Sequence, residues 1–392
     1  MQNMLEQAKA IEEFIINFRH DLHMHPELGF QEFRTTEKIE EELKKLGLDY
    51  VRFQPTGLMV EIEGSPTGKC VALRADMDAL PIQETTGLEY QSCTPEVMHA
   101  CGHDAHTAML MGAVKLLWAN KEQLKGKVRC IFQPAEEGGG GAEQIIGQGA
   151  AQGVDMFFGQ HVTPLEPAGT VNYCPGGAMA AAAKFTIEVS GKSAHGATPE
   201  AGIDATLAGC QIVNNLQSIV SRRISPFDTC VLSVCTFNSG KAFNVISDKA
   251  VITGTCRFLS KALGPKLKEE MERVCKGVAQ AYEAEVKVDF EVFSDVVCND
   301  DKVIALVHKA AEKFMDAKMV KQMPPMNAGD DFGAYSNYAP AAYTFLGTEG
   351  NGPGHNEKFR IGDESLCVGA ALNAQMAVEM LDYLCEIGRA HV

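Results

Sequence analysis

Apolar residues recur at helical spacing over residues 7–20 (Ile11, Phe14, Ile15, Phe18) and 32–46 (Ile39, Leu43, Leu46), with Gly47 placed to close the second helix. The pattern then changes. "KCVALRADMDALPI" opens with a continuous apolar run, which predicts a strand buried on both faces, and ends in the carboxylates Asp76 and Asp78. "GKVRCIFQPAEEGGGG" repeats the design, a strand from Val128 to Phe132 running into Pro134, Glu136, Glu137 and four glycines. "VDMFFGQHV" is a third such strand and ends at His161. Helical stretches at 104–120 and 142–151 alternate with these strands. That alternation predicts an α/β domain with a mostly parallel central sheet flanked by helices. Ligands of such sheets gather at the carboxyl ends of the strands, and here those ends bring Asp, Glu, Glu and His.

From about residue 182 the rhythm is different. "AAAKFTIEVSG" alternates like a half-buried strand, 203–222 reads as a helix, and "TCVLSVCTFNSG" and "AFNVISDKAVITGTCRFLS" read as adjacent strands. Residues 263–282 are helical and "EVKVDFEVFSD" alternates again. The order β-α-β-β-α-β is that of a ferredoxin-like two-layer unit. Helices and the strand-like "AAYTFLG" resume the first pattern after about residue 296. The expectation is therefore a discontinuous larger domain, 1–182 and 296–392, with 183–295 inserted into it. No internal repeat or low-complexity linker interrupts either part.

Composition narrows the class. A chain of 392 residues is long enough for two cores, and 45% hydrophobic with 22% charged residues is the balance of a soluble globular protein. The formal charge of −16 repels nucleic acid and anionic lipid, and no basic run opposes it. No apolar run approaches the ~18 residues of a spanning helix. The amphipathic, acidic start "MQNMLEQAKAIEEFI" is unlike a secretory signal, and the terminal "GRAHV" does not read as a helix ending. Thirteen cysteines at scattered spacings, with no Cys-x-x-Cys pair, imply reduced thiols and a cytoplasmic location.

The candidate chemistry starts at "MHACGHDAHTAMLMGAVKLL", where Cys101, His103 and His106 surround a helix start. Alone, this stretch fits a metal site, a redox cysteine or an ordinary packed helix. The other strand ends add Glu136-Glu137 and His161, and the loop "EGNGPGHNEKFR" adds His355. Zn, Mn and Co accept this mixture of thiolate, imidazole and carboxylate. Two adjacent glutamates also divide the labour, one for a metal and one for a proton. Asp76 and Asp104 are placed either to orient a ligating imidazole or to end a strand and cap a helix. His20, His23 and His25 read as packing and capping before Pro26, and Met109, Met111 and Trp118 as helix packing. The "GGGG" run lacks the Gly-Lys-Ser/Thr of a phosphate loop.

"RHDLHMHPELGFQEFRTT", "MHACGHDAHTAMLMGA", "IFQPAEEGGGGA", "GQHVTPLEPAGTV", "KSAHGATPEAGIDA" and "GPGHNEKFRIGDESL" together resemble the M20 metallopeptidase superfamily. Within it they resemble the amidohydrolase branch of N-acyl-amino-acid, hippurate and indoleacetyl-amino-acid hydrolases. The resemblance runs over nearly the whole chain and implies a catalytic domain with an inserted dimerisation, or lid, domain. It implies two divalent metal ions per subunit (Mn, Zn, Co or Ni) on Cys101, His103, Glu137, His161 and His355, with Glu136 as general base. It also implies that His195 reaches the substrate carbonyl from a partner subunit, in a homodimer or tetramer, and that Asn244 and Arg257 bind substrate. The implied reaction is hydrolysis of the amide bond of an N-acyl amino acid or similar small conjugate by a metal-activated water. A carboxypeptidase or dipeptidase of the same superfamily, and a non-enzymatic structural metal protein, are the alternatives. Ser247 in "NVISD" stands where many relatives carry proline, from which a small change in loop stiffness is expected.

Overall fold

The computed structural model describes residues 3–389. The chain divides into two units, one of Met1–Ala178, Cys298–Pro324 and Asp331–Val392, the other of Met179–Val297 and Pro325–Asp330. The last three residues of "GRAHV" lie outside the described residues; before them a helix runs from Leu366 to Arg389.

The first unit is built on an eight-stranded sheet. From edge to edge its strands are Tyr50–Arg52, Leu58–Glu63, Lys127–Gln133, Cys70–Asp76, Met156–Thr163, Ala341–Gly347, Val171–Tyr173 and Val320–Gln322. The four central strands are mutually parallel, whereas the strands toward Tyr50 pair antiparallel. Cys70–Asp76 and Ala341–Gly347 are buried along their whole length, as strands covered on both faces must be. Parallel register aligns their carboxyl ends: Asp76 stands opposite Gln133, and Phe345 opposite His161.

Helices Glu12–Met24, His103–Ala119 and Leu366–Arg389 pack together. Gly112 lets them approach, since a Cβ there would lie 3.0 Å from both Ala370 Cβ and Ile15 Cδ1. The expected first helix is two, Met4–Ala10 and Glu12–Met24, parted at Ile11 where the backbone leaves helical geometry. Phe33–Leu46 ends at Gly47, which takes the left-handed conformation (φ 69) that favours glycine. The expected 142–151 helix stops earlier, covering Gly141–Gly147.

The second unit holds a four-stranded antiparallel sheet in the order Cys230–Ser239, Lys249–Phe258, Ala181–Ser190, Glu285–Ser294, with helices Ala205–Arg222 and Leu263–Ala281. Burial alternates residue by residue along the Lys249–Phe258 strand, so one face packs and the other does not. The unit also recruits Pro325–Asp330, because Ala180 N–H donates to the carbonyls of Met326 and Ala328. No sequence pattern announces that return. Among the described residues no helix is long and apolar enough to cross a membrane.

Candidate metal centre

Four backbone devices bring the strand-end side chains together. The Cys70–Asp76 strand delivers Asp76 and, two residues on, Asp78. Gly102 precedes the His103–Ala119 helix at φ 91, a turn that a side chain would obstruct, since a Cβ would lie 2.4 Å from Val162 Cγ2. Pro134 and Ala135 (φ 52) turn the neighbouring strand out to Glu136 and Glu137. His355, also left-handed at φ 63, donates its backbone N–H to Ala100 O at 2.8 Å.

The resulting cluster is tight. The ligand atoms of Cys101, His103 and His161 lie within 4.8 Å of one another, as do those of Cys101, Glu137 and His355, and those of His103, Glu136 and Glu137. Cys101 Sγ is 3.3 Å from His161 Nε2, and His355 Nε2 is 3.0 Å from Glu137 Oε1. His103 Nε2 lies 4.0 Å from Glu136 Oε2. Cys101 therefore belongs to one trio with His103 and His161 and to another with Glu137 and His355. Buried His103 Nε2 has no hydrogen-bond partner, so a cation would satisfy an atom that the protein does not. The donors, one thiol with imidazoles and carboxylates, fit Zn, Mn, Co or Ni.

A shell of carboxylates aims the ligands. Asp78 does most of it. Its Oδ1 takes His103 Nδ1 at 3.2 Å and Glu136 N–H at 3.0 Å, while Oδ2 takes Glu137 N–H at 3.0 Å. The sequence left Asp76 and Asp104 either to orient an imidazole or to end a strand and cap a helix; the Asp-x-Asp spacing at the strand end was the available signal for Asp78. Asp76 instead accepts from His106 Nδ1 at 2.5 Å and stands 3.9 Å from His103 Nε2. Burial works against the Asp76 charge, but His103, Arg74 and His106 outweigh it and hold the carboxyl well below its usual range. His106 Nε2 in turn accepts from Val162 N–H at 2.9 Å. With both ring nitrogens engaged, His106 braces the His161 strand rather than offering a ligand.

Asp104 faces away from the ligands. Its Oδ2 receives Arg19 Nε at 3.0 Å and His23 Nδ1 at 2.9 Å, and His23 reaches Glu84 on its other side. Burial also opposes this carboxylate's charge, and Arg19 and His23 reverse the effect. His20 pairs with Asp363 at 2.9 Å and stacks on Tyr90, while His25 Nδ1 bonds the Asp21 carbonyl. His25 caps the helix and His20 packs on Tyr90 as expected, whereas His23 sits in a buried charged network with Asp104 and Glu84 that the sequence did not announce.

His195, Asn244 and Arg257 belong to the second unit. His195 pairs across a short two-stranded ladder with Val245, and Gly196 N–H donates to Asn244 O at 2.8 Å, so the backbone ties the two exposed residues together. Arg257 Nη1 donates to Thr255 Oγ1 and the Cys256 carbonyl. Ser247 Oγ accepts from Gly240 and Lys249 N–H and donates to Lys249 O.

Residues 72–379 match the family model described as peptidase family M20/M25/M40. The chain is 38% identical over 378 residues to the N-acetyl-L-cysteine deacetylase of Bacillus subtilis, covering 95% of this chain and 89% of that protein. It is 37% identical over 390 residues to thermostable carboxypeptidase 1 of Saccharolobus solfataricus, covering 97% and 98%. A solved Bacillus subtilis structure, described as a dinuclear metal-binding peptidase of the M20 family, superposes with a TM-score of 0.85 at 35% identity, covering 95% of this chain and 99% of that one.

Proposed function

The chain belongs to peptidase family M20/M25/M40, and from that premise we propose that it hydrolyses the amide bond of N-acyl amino acids or similar small conjugates. The observation that carries this reading is the convergence of Cys101, His103, Glu137, His161 and His355 beside Glu136. Those five residues would hold two divalent cations, with Glu136 kept for proton transfer. When bound, the cations supply Lewis acidity, polarising the amide carbonyl and activating a water at neutral pH.

The chain's own groups do the rest. Glu136 takes the attacking water's proton and passes it to the departing amine. Asp78 keeps Glu136 and Glu137 in register through their backbone amides and holds His103 by its Nδ1. His195 of the partner subunit stabilises the oxyanion as it develops, with Asn244 and Arg257 binding substrate. Exposure of His195 and Asn244, tied to each other by the backbone, supports a role toward another chain, and hence a homodimer or tetramer. The inserted unit, with its β-α-β-β-α-β order, is the ferredoxin-like dimerisation or lid domain of this scheme. Thirteen free thiols support a cytoplasmic setting.

A second reading, cleavage of peptide bonds as a carboxypeptidase or dipeptidase, rests on the Saccharolobus relative. One experiment separates the two. Protein stripped with chelator and reloaded singly with Mn, Zn, Co or Ni is assayed on N-acetyl, N-benzoyl and indoleacetyl amino acids and on dipeptides. Metal-dependent release of the free amino acid from the acyl substrates is expected. Turnover confined to dipeptides would favour the second reading, and no turnover with any metal would remove both.

A further inference from the structure

The segment "HPELGFQEF" (25–33) takes no part in the chemistry above, yet its backbone and one carboxyl lie against the turn that presents Glu136 and Glu137. Glu27 O accepts from Ala79 N–H at 2.8 Å, tying the segment to the residue after Asp78. Gly29 lies so close to the turn that a Cβ on it would sit 3.0 Å from Ala135 Cβ and 3.1 Å from Ala135 Cα. A Cβ on Gly139 would stand 3.1 Å from a ring carbon of Phe30, so the segment also borders the glycine run. Glu32 is wholly buried. Its Oε1 accepts from Ala135 N–H at 2.9 Å, and its Oε2 takes Thr56 Oγ1 at 2.6 Å.

Three consecutive amides are thus held by two carboxyl groups, Ala135 by Glu32 and Glu136 and Glu137 by Asp78. Ala135 has a side chain in the left-handed region, a conformation that persists only when its surroundings enforce it. A buried carboxyl serving a backbone amide and a threonine, rather than a cation, is itself an expense that calls for a return.

We propose that Glu32, with Gly29 packed against the same residue, is a positioning clamp that holds the left-handed Ala135 turn and so sets the proton-transfer geometry of Glu136. The inference rests on the role given to Glu136 above. The clamp needs an acceptor at Oε1 and a group at Oε2 that can bond a hydroxyl, and a charge is not required. Glu32→Gln meets both needs, whereas Glu32→Ala meets neither.

The test compares wild type, E32A and E32Q, with G29A as an independent push on the same turn. With an acyl amino acid substrate, E32A is expected to lose roughly a hundredfold in kcat at nearly unchanged KM, the penalty of a misplaced proton-transfer group. E32Q is expected to restore kcat to within a few-fold. Hydrogen exchange, read without substrate, is expected to rise about tenfold for the amides of 135–137 in E32A but not in E32Q. Wild-type kcat in E32A, or equal loss in E32A and E32Q, would overturn the clamp. If E32A does not fold, G29A decides: a kcat loss at constant KM upholds the clamp and unchanged kcat overturns it. If wild type itself hydrolyses no acyl substrate, the proposed function fails, and the exchange data still judge the clamp.

Discussion

At the scale of single residues the site is a division of labour among carboxyl groups set by what each one faces. Glu136 and Glu137 are neighbours in sequence, Asp78 holds both backbone amides, and the Glu137 side chain faces His355. Glu136→Gln is expected to keep full metal content by elemental analysis while turnover falls by several orders of magnitude; wild-type-like turnover would remove it as the base. His23 offers a test remote from the chemistry. Burial opposes its charge, but Asp104 and Glu84 outweigh burial and push its pKa up to about 9. Against an unfolded value of ~6.5, its stabilisation is complete below that value and is lost as pH rises through about 9. The melting temperature of wild type should therefore fall between pH 6.5 and 9.5, and that fall should be smaller in His23→Gln. The pH dependence of Glu32 has the same sign. Burial raises its carboxyl to about 7, so the native state loses stability as pH climbs from the ordinary carboxyl range through about 7, a loss Glu32→Gln should not show.

Among secondary-structure elements, parallel register does what no single residue can. Asp76, the Glu136-Glu137 turn and His161 meet because their strands are neighbours in the sheet, although the chain orders them far apart. The His103 helix must start immediately after Cys101 to join them, which is why Gly102 occupies a turn at φ 91 against Val162. Gly102→Ala introduces a strained backbone and a steric conflict with the His161 strand. A loss of roughly 1–3 kcal/mol in stability is expected by denaturant titration, with lowered metal content. Unchanged metal binding would show that the turn is not needed for the cluster. The expected helix at 7–20 illustrates the limit of periodicity: the apolar stripe runs straight through Ile11, but the backbone breaks there.

For the whole molecule, the proposed scheme makes an active site a shared property of two chains. His195→Ala and Glu136→Gln would each be inactive alone. Mixed under exchange conditions, they are expected to regain part of the activity, because one site in a heterodimer then has both groups intact. Activity that stays at the level of the separate mutants would place His195 outside a shared site.

The linear pattern was enough to determine the α/β class, the buried central strands and the residue types able to bind a metal. All of these follow from local periodicity, from turn residues and from donor chemistry carried within short stretches. Only tertiary structure decided which carboxylate aims which imidazole, that His106 is consumed by Asp76 and Val162, that Asp104 serves Arg19 and His23, and that Glu32 reaches Ala135. The physical reason is common to them. Each is a hydrogen bond between side chains or amides distant in sequence, and its direction depends on strand order, helix tilt and ångström-scale packing that no spacing along the chain encodes.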